Sequence, residues 1–524
     1  MNAEEFPVFG SFPCTCHLVT EDLSMVYRHT DVQLSFESFD CGLGTSLSPD
    51  NEWVKLASLI PWQKLDEAYQ SVFNKSAGRA AKPFRELYGA ELIKQRTHLS
   101  DAKLVEAIRD TPAFQYFMGR TRYEAKIPFN ASTLTYFRRR ASKISDLIRN
   151  IITDEVREKL EAIVPGAHVL ITDATAVPIK IQFPQDASLL NKARLNLEEM
   201  VLKMAQGLQV AIPRTYKRLA KATWTEYSRH PGRQAKARRK QIKAQLQYIR
   251  RDLRYVDELL SQGGEAHLTE WQINRLAVVR KVYEQQRYMY DNKTHSVPDR
   301  IVSLSQPYIH PIVRGKAKAR VEFGAKIDCS ILDGVIDVER FDFESFNEST
   351  DLAATLDHCW DTLGQYPDEV LADTLYRTRA NIALCKELGI KLSGPKLGRR
   401  PKHVDANQRK LDTDAENRRG AIERKFAFLK GSLGLDLVNT RTAESLVVEV
   451  DSAIVLANLM LLLGIFSIPI SVITTEPAKH IKLTIKSSLN GQSQQPSSVL
   501  TSLRTASRFK SITLHSVEMS RCCS

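Results

Sequence analysis

Cysteine is scarce. Cys14, Cys16, Cys41, Cys329, Cys359, Cys385, Cys522 and Cys523 are too few and too irregularly spaced in 524 residues for a disulfide framework, which predicts a reducing compartment. Cys14, Cys16 and His17 could begin a zinc site, but no second Cys/His pair at ligand spacing follows, so free thiols are the simpler reading. A Gly-rich phosphate loop is also missing, and with it the usual signature of an ATPase. The opening MNAEEFPVFG carries acids where an export signal needs cations and then an apolar run, so secretion is not expected. Long apolar runs are few, and one matters. Residues 453–473 are free of charge for 21 positions, enough to cross a bilayer. Asn458, Gly464, Ser467, Pro469 and Ser471 interrupt that run, and Pro469 predicts a helix of about 16 residues followed by a short extended segment. A core helix that is apolar nearly all round is preferred, with a membrane anchor as the competing reading.

What is present describes a folded, basic protein. Hydrophobic residues at 43% and charged residues at 26% lie near the globular average, which excludes a wholly disordered or fibrous chain. The length predicts about three to four domains. The net charge is +13, and it is concentrated: between Arg214 and Arg254 fourteen Lys or Arg face two acids, Glu226 and Asp252. Such a stretch predicts a polyanionic partner, and Lys236, Arg238, Arg239, Lys240 and Lys243 are its densest part. Trp224, Tyr227 and Tyr248 are interleaved where they could stack on bases or simply pack.

Periodicity divides the chain into a poorly ordered segment at 1–47, a helical domain at 48–150, an α/β domain at 151–474 with a helical insertion at about 190–290, and a disordered tail at 475–524 rich in Ser, Thr and Gln. The helical domain ends in the basic run Arg138-Arg139-Arg140. His168 to Thr172 reads as a strand ending at Asp173, with a second strand over 179–183 joined to it by a turn. Glu369 to Ala372 reads as a strand ending at Asp373, followed by a helix that Gly389 closes. Residues 415–432 read as a helix carrying Arg419, Glu423 and Lys430, which share one face at 3.6 residues per turn. Each acid alone is more commonly a cap or turn former, and Arg419 with Glu423 could be an ordinary surface ion pair. Together they suggest two carboxylates at strand ends and one on a helix, gathered around a metal, with cations for phosphates beside them.

These segments resemble the insertion-sequence transposases of the DDE class. Ile171-Thr172-Asp173-Ala174-Thr175 is similar to the family's first-Asp strand, and Val370 to Asn381 to its second-Asp strand and helix. Arg419-x3-Glu423-x6-Lys430 resembles the signature around the family's Glu. Asp291 to Arg300, Gly389 to Pro401, and the segments around Ala81 to Arg85, Gln115 to Phe117 and Phe137 to Arg140 extend the likeness over roughly 45–465. One position departs: the family often has Tyr three residues before the Arg, and here Glu416 stands there, able to pair with Arg419 or to repel DNA.

The resemblance implies an RNase H-like mixed sheet flanked by helices, with Asp173, Asp373 and Glu423 as catalytic residues and metal ligands. It implies two Mg²⁺ ions, replaceable by Mn²⁺, with Asp173 bridging and Asp373 and Glu423 each completing one. Arg419, Lys430, Arg399 and Arg400 would contact DNA together with Lys236, Arg238, Arg239, Lys240 and Lys243. The implied activity is cleavage at element ends and strand transfer into target DNA. Partners would be double-stranded terminal repeats, target DNA and a second copy of the chain, without a membrane, in a bacterial cytoplasm at the nucleoid. The alternative is a DNA-binding protein that keeps the fold without the catalysis.

Overall fold

The structure, a computed structural model, describes residues 25–28, 35–42, 44–73, 79–161, 168–229, 235–313, 321–394, 397–398 and 406–465. The expected tail at 475–524 lies outside the described residues. Within 1–47, Tyr27, Phe39 and Cys41 are buried, and β1 (Met25–Val26) pairs in parallel with β2 (Arg79–Ala80).

Seven helices build the first layer: α1 (Glu52–Leu59), α2 (Trp62–Gln70), α3 (Phe84–Thr97), α4 (Asp101–Asp110), α5 (Pro112–Phe117), α6 (Ser132–Ala141) and α7 (Ser145–Glu161). Their starts follow local chemistry. Asn51 and Ser100 accept backbone N–H bonds at the heads of α1 and α4, and Pro112 opens α5, where its missing N–H costs nothing. Trp53 and Trp62 meet Phe117 edge-on, with ring centroids 5.0 and 5.5 Å away. The basic run at the end of α6 turns largely inward. Arg138 is 4% exposed and holds Asp101 through two bonds of 2.7 Å and Glu91 through one of 2.9 Å, so it ties three helices together instead of facing DNA.

The second layer is a six-stranded mixed sheet. β3 (Val169–Pro178) is its centre, and the helices α8 (Asp186–Gly207), α9 (Lys217–Ser228), α10 (Ala235–Ser261) and α11 (Glu270–Asp291) intervene before β4 (His310–Val313). Then come β5 (Val321–Leu332), β6 (Val335–Asp342), α12 (Leu352–Leu363), β7 (Glu369–Ala372), α13 (Arg379–Glu387), β8 (Lys391–Leu392), α14 (Ala406–Gly431) and α15 (Ala443–Leu462). The order is β4-β5-β3-β7-β8, with β6 also on β5; β3 is antiparallel to β5 and parallel to β7. Asp333 and Gly334, with φ of 54° and 91°, turn β5 into β6 as a two-residue hairpin of the kind that requires positive φ at both positions. At Gly324 a Cβ would come within 2.0 Å of the Val177 carbonyl, so only glycine lets β5 cross β3 there.

The expected pair of strands around Asp173 is a single strand. Residues 169–178 run straight through the acid in β3, and 179–183 form no second strand beyond a bridge of Ile179 to Val438. A carboxylate is tolerated inside a strand here because the neighbouring β7 ends at Ala372, leaving Asp173 paired with Cys329 of β5 on one side and open on the other.

The apolar helix is α15. It starts ten residues earlier than expected and ends before Pro469, and among the described residues it is the one helix long and apolar enough to cross a membrane, with 94% of its apolar window buried. It is the shared wall between the helical layer and the sheet, so every face meets protein. Its polar residues are matched individually. The Asn458 amide accepts from the Ile336 N–H at 3.0 Å and donates to the Ile336 carbonyl at 2.8 Å, satisfying the free edge of β6 as another strand would. Arg149 of α7 bridges Asp451 at 2.6 Å and Asp337 of β6 at 2.8 Å, and Lys94 of α3 pairs with Glu449.

Helices α8, α10 and α11 form their own core around Leu190, Leu197, Val201, Ile249, Val256, Val279 and Val282. Asp186 at the head of α8 accepts from Gln286 at 2.9 Å and from Arg300 at 2.7 Å, and Gln285 bonds to both sides of the 298–301 turn. That network ties α8 and α11 to the segment that leads toward β4.

Candidate active site

The sheet brings the first two acids together by register. Thr172 pairs with Ala372 on parallel strands, so the next residues, Asp173 and Asp373, are neighbours across strands about 4.8 Å apart. Asp373 continues the extended backbone at φ −66° and ψ 161°, then caps the following 3-10 turn by accepting from the Thr374 N–H and hydroxyl. The residues after it hold that turn in place. The Tyr376 hydroxyl donates to buried Asp328 at 3.1 Å, Arg377 donates to the carbonyls of Leu392 and Ser393 at 2.8 and 2.7 Å, and Asn381 donates to the carbonyls of Ser349 and Tyr376 at 2.8 Å each.

The third acid arrives on α14, which packs across β3 and β7. Arg418 fixes the helix by bonding Glu369 at the base of β7 at 2.5 Å. Its neighbour Arg419 is thereby turned to the site, 3.8 Å from Asp173 and 3.1 Å from Glu423. Glu416 grips the same guanidinium through two bonds of 3.0 and 2.7 Å, so the position occupied by Tyr in the resembling family here serves as an anchor for Arg419. Lys430 lies seven residues beyond Glu423, about 10.5 Å along the helix, and is half-buried.

The electrostatics follow from this packing. Burial pushes the Asp173 carboxyl above the ordinary range, and the Asp373 and Glu348 carboxylates add to the rise, while the Ala174 N–H and Arg419 oppose it. The bidentate bond to Glu416 raises Arg419 and lowers Glu416. Asp328, beneath the site, is pushed up to about 7 by burial. Neither Glu348 nor Asp328 stands out in the sequence. Glu348 opens a short 3-10 turn at Glu348–Thr350 and is brought in by Lys326 of β5, and Asp328 has no spacing relation to the other acids.

Carboxylates at the mouth of a sheet are the hard oxygen donors that Mg²⁺ and Mn²⁺ prefer, so the donor set fits such ions. Among the described residues, no three ligating side chains stand close enough to form a ready-made metal cluster. Arg419 supplies the positive charge that holds Asp173 and Glu423 about one guanidinium.

The expected DNA contacts divide. Lys236, Arg238, Arg239, Lys240 and Lys243 are exposed along the first half of α10. Arg239 is tied to α11, donating to the Tyr290 carbonyl at 3.1 Å and lying 4.1 Å over its ring. The other four have no carboxylate partner among the described residues. Trp224 packs on Tyr227 at 5.6 Å, and Tyr248 lies under Arg251, so these rings serve packing. Arg399 and Arg400 lie outside the described residues.

Two segments of the chain match known protein families. Residues 370–463, from β7 through α15, match the family described as transposase DDE domain, and residues 43–140, most of the helical layer, match the transposase domain family (DUF772). The chain is also similar to an uncharacterized protein, ORF8 in the nfe locus of Rhizobium meliloti, at 29% identity over 187 residues, covering 34% of this chain and 84% of that protein. No solved structure gives a significant match. A mixed α/β fold together with two segments that match transposase domains is similar to a transposase. More narrowly, the matched domains are similar to those of DDE transposases, a family that acts on DNA and generally uses divalent metal ions.

Proposed function

We propose that the chain is a transposase that cleaves phosphodiester bonds at the ends of its element and joins the freed 3′ ends to target DNA, with Asp173, Asp373 and Glu423 as its catalytic acids. The observation that carries the reading is the juxtaposition of Asp173 and Asp373 on parallel strands, with α14 bringing Glu423 to Asp173 through Arg419. The strand order β6-β5-β3-β7-β8, antiparallel then parallel, supports an RNase H-like sheet around them. The three acids would hold two Mg²⁺, for which Mn²⁺ can substitute. When bound, such ions activate the attacking oxygen and neutralise the leaving one.

The chain's own residues have separate tasks. Asp173, sheltered in β3, and Asp373, at the strand end, would present oxygens on one side of the scissile phosphate. Glu423 presents its oxygen from the opposite, helical side. Arg419 is released from Asp173 and Glu423 when those carboxylates are otherwise neutralised, and remains on Glu416 to bind phosphate. Lys430 extends the same helix face along the DNA. The four unpaired cations of α10 add sequence-independent contacts to the duplex. We infer action as a dimer or larger assembly on DNA in the bacterial cytoplasm.

The test is an end-nicking assay with a duplex carrying the flanking inverted repeat and Mg²⁺ or Mn²⁺. Wild type should nick at the element end, and Asp373→Ala should lose at least about a thousandfold in rate, corresponding to the several kcal/mol that metal-assisted charge neutralisation supplies. Equal nicking by Asp373→Ala would refute the assignment. Salt-sensitive binding without cleavage by the wild type would favour a repurposed DNA-binding protein.

A further inference from the structure

A groove of about 840 Å³ lies where the helical subdomain meets the sheet. Its walls come from the segment after β3, from α8, from the start of α11, from residues 302–306 and from the loop between α14 and α15. Four cations line it, Lys180, Lys192, Arg275 and Arg441, and no Asp or Glu does. Lys180, Lys192 and Arg441 are exposed, and none of the four is ion-paired among the described residues. Two large aromatic rings open to solvent at the same place: Phe183 is 73% exposed and Trp271 58%. These side chains are set on firm supports. Lys180 is pinned through its backbone N–H to the Val438 carbonyl at 2.8 Å, Lys192 donates to Gln182 at 2.6 Å, Phe183 meets Phe323 edge-on at 6.0 Å, and Arg275 lies 4.8 Å over the Trp271 ring.

Uncompensated positive charge beside exposed aromatic faces is the combination that binds single-stranded nucleic acid: cations follow the backbone, and bases stack on the rings whatever their sequence. Lys180 follows Asp173 by seven residues, just beyond the end of β3, which keeps this wall of the groove within about 23 Å of that acid.

We propose that this groove binds unpaired DNA flanking the scissile bond, with Lys180, Lys192, Arg275 and Arg441 on phosphates and Trp271 and Phe183 on bases. The proposal rests on the reading of the protein as a DNA-cleaving transposase, and its test is separable from that reading because it needs neither metal nor cleavage.

The experiment is a metal-free fluorescence titration of the full chain with a short oligothymidylate and with a duplex of equal length. The chain has five tryptophans, so Trp271→Phe isolates the signal of one. Oligothymidylate should quench wild type and leave a much smaller change in Trp271→Phe. The double variant Lys180→Gln, Arg441→Gln should bind more weakly, with a log–log salt slope shallower by about 1.4, the loss of two single-strand phosphate contacts. All three positions are exposed, so the thermal midpoints should match wild type. Absence of Trp271-dependent quenching, equal quenching by duplex, or an unchanged salt slope would each overturn the proposal. Quenching retained in a protein that never cleaves would instead count against the catalytic reading and leave the groove standing.

Discussion

Arg419 occupies the position from which a cation must act on Asp173 and Glu423, so replacing it should strengthen metal binding while weakening DNA processing. At the 3.8 Å separating Arg419 from Asp173, Coulomb's law gives about 4 kcal/mol in an effective dielectric of 20 and about 1 kcal/mol in water. The Glu423 contact is shorter, at 3.1 Å, but its side chain is 62% exposed against 22% for Asp173, so solvent screens it more. Weighting both toward the solvated limit leaves a net of about 2 kcal/mol that a divalent ion no longer has to overcome in Arg419→Gln, an increase of roughly thirtyfold in affinity. Titrating the DNA-free protein with Mn²⁺ and following free Mn²⁺ by electron paramagnetic resonance reads this directly. Glu416→Gln supplies the opposite sign: it frees Arg419 from its bidentate anchor, leaves the guanidinium to the two acids, and should weaken Mn²⁺ binding. Unchanged or weaker binding in Arg419→Gln, with the fold intact, would show that Asp173 and Glu423 do not share a metal site.

Other outcomes follow from single features. Arg149→Met leaves Asp337 and Asp451 buried without their shared cation and should cost about 3–5 kcal/mol, read as a lower urea midpoint. Asp328 has a folded value raised to about 7 from a carboxyl's ordinary 3.8, so between those values the folded chain keeps a proton that the unfolded chain has released. Stability from this residue is therefore full at low pH and falls as pH rises through about 7, by up to ~4 kcal/mol. Asp328→Asn should accordingly unfold at a higher temperature than wild type at pH 8, with the difference vanishing near pH 4. Reversing Lys236, Lys240 and Lys243 to Glu should weaken duplex binding and flatten its log–log salt slope by at least about 2.7, the contribution of three phosphates; an unchanged slope would remove α10 from the DNA interface.

The sequence determined most of the elements that carry the candidate residues. Asp373 at a strand end, Glu423 and Arg419 on one helix face, and the concentration of charge on α10 were all legible, because they depend on local periodicity and spacing. It also favoured a buried role for the apolar helix, since its interruptions were visible in one dimension. The boundaries were less legible. A strand reading that stopped at Asp173 treated the acid as an end signal, and only the short neighbour β7 explains why a carboxylate sits inside β3. Inspection of α6 could not separate buried Arg138 from a cation on a DNA face, because the difference lies in Glu91 and Asp101 on other helices. The same holds for Asn458, whose partner is the open edge of a distant strand. Of the two readings the sequence left for Glu416 the structure shows the pairing with Arg419, and tertiary structure alone placed Glu348 near Asp173 and assembled the basic aromatic groove from five separate segments. Residue type and spacing are local properties, whereas proximity, burial and the neutralisation of charge belong to the chain only once it has folded.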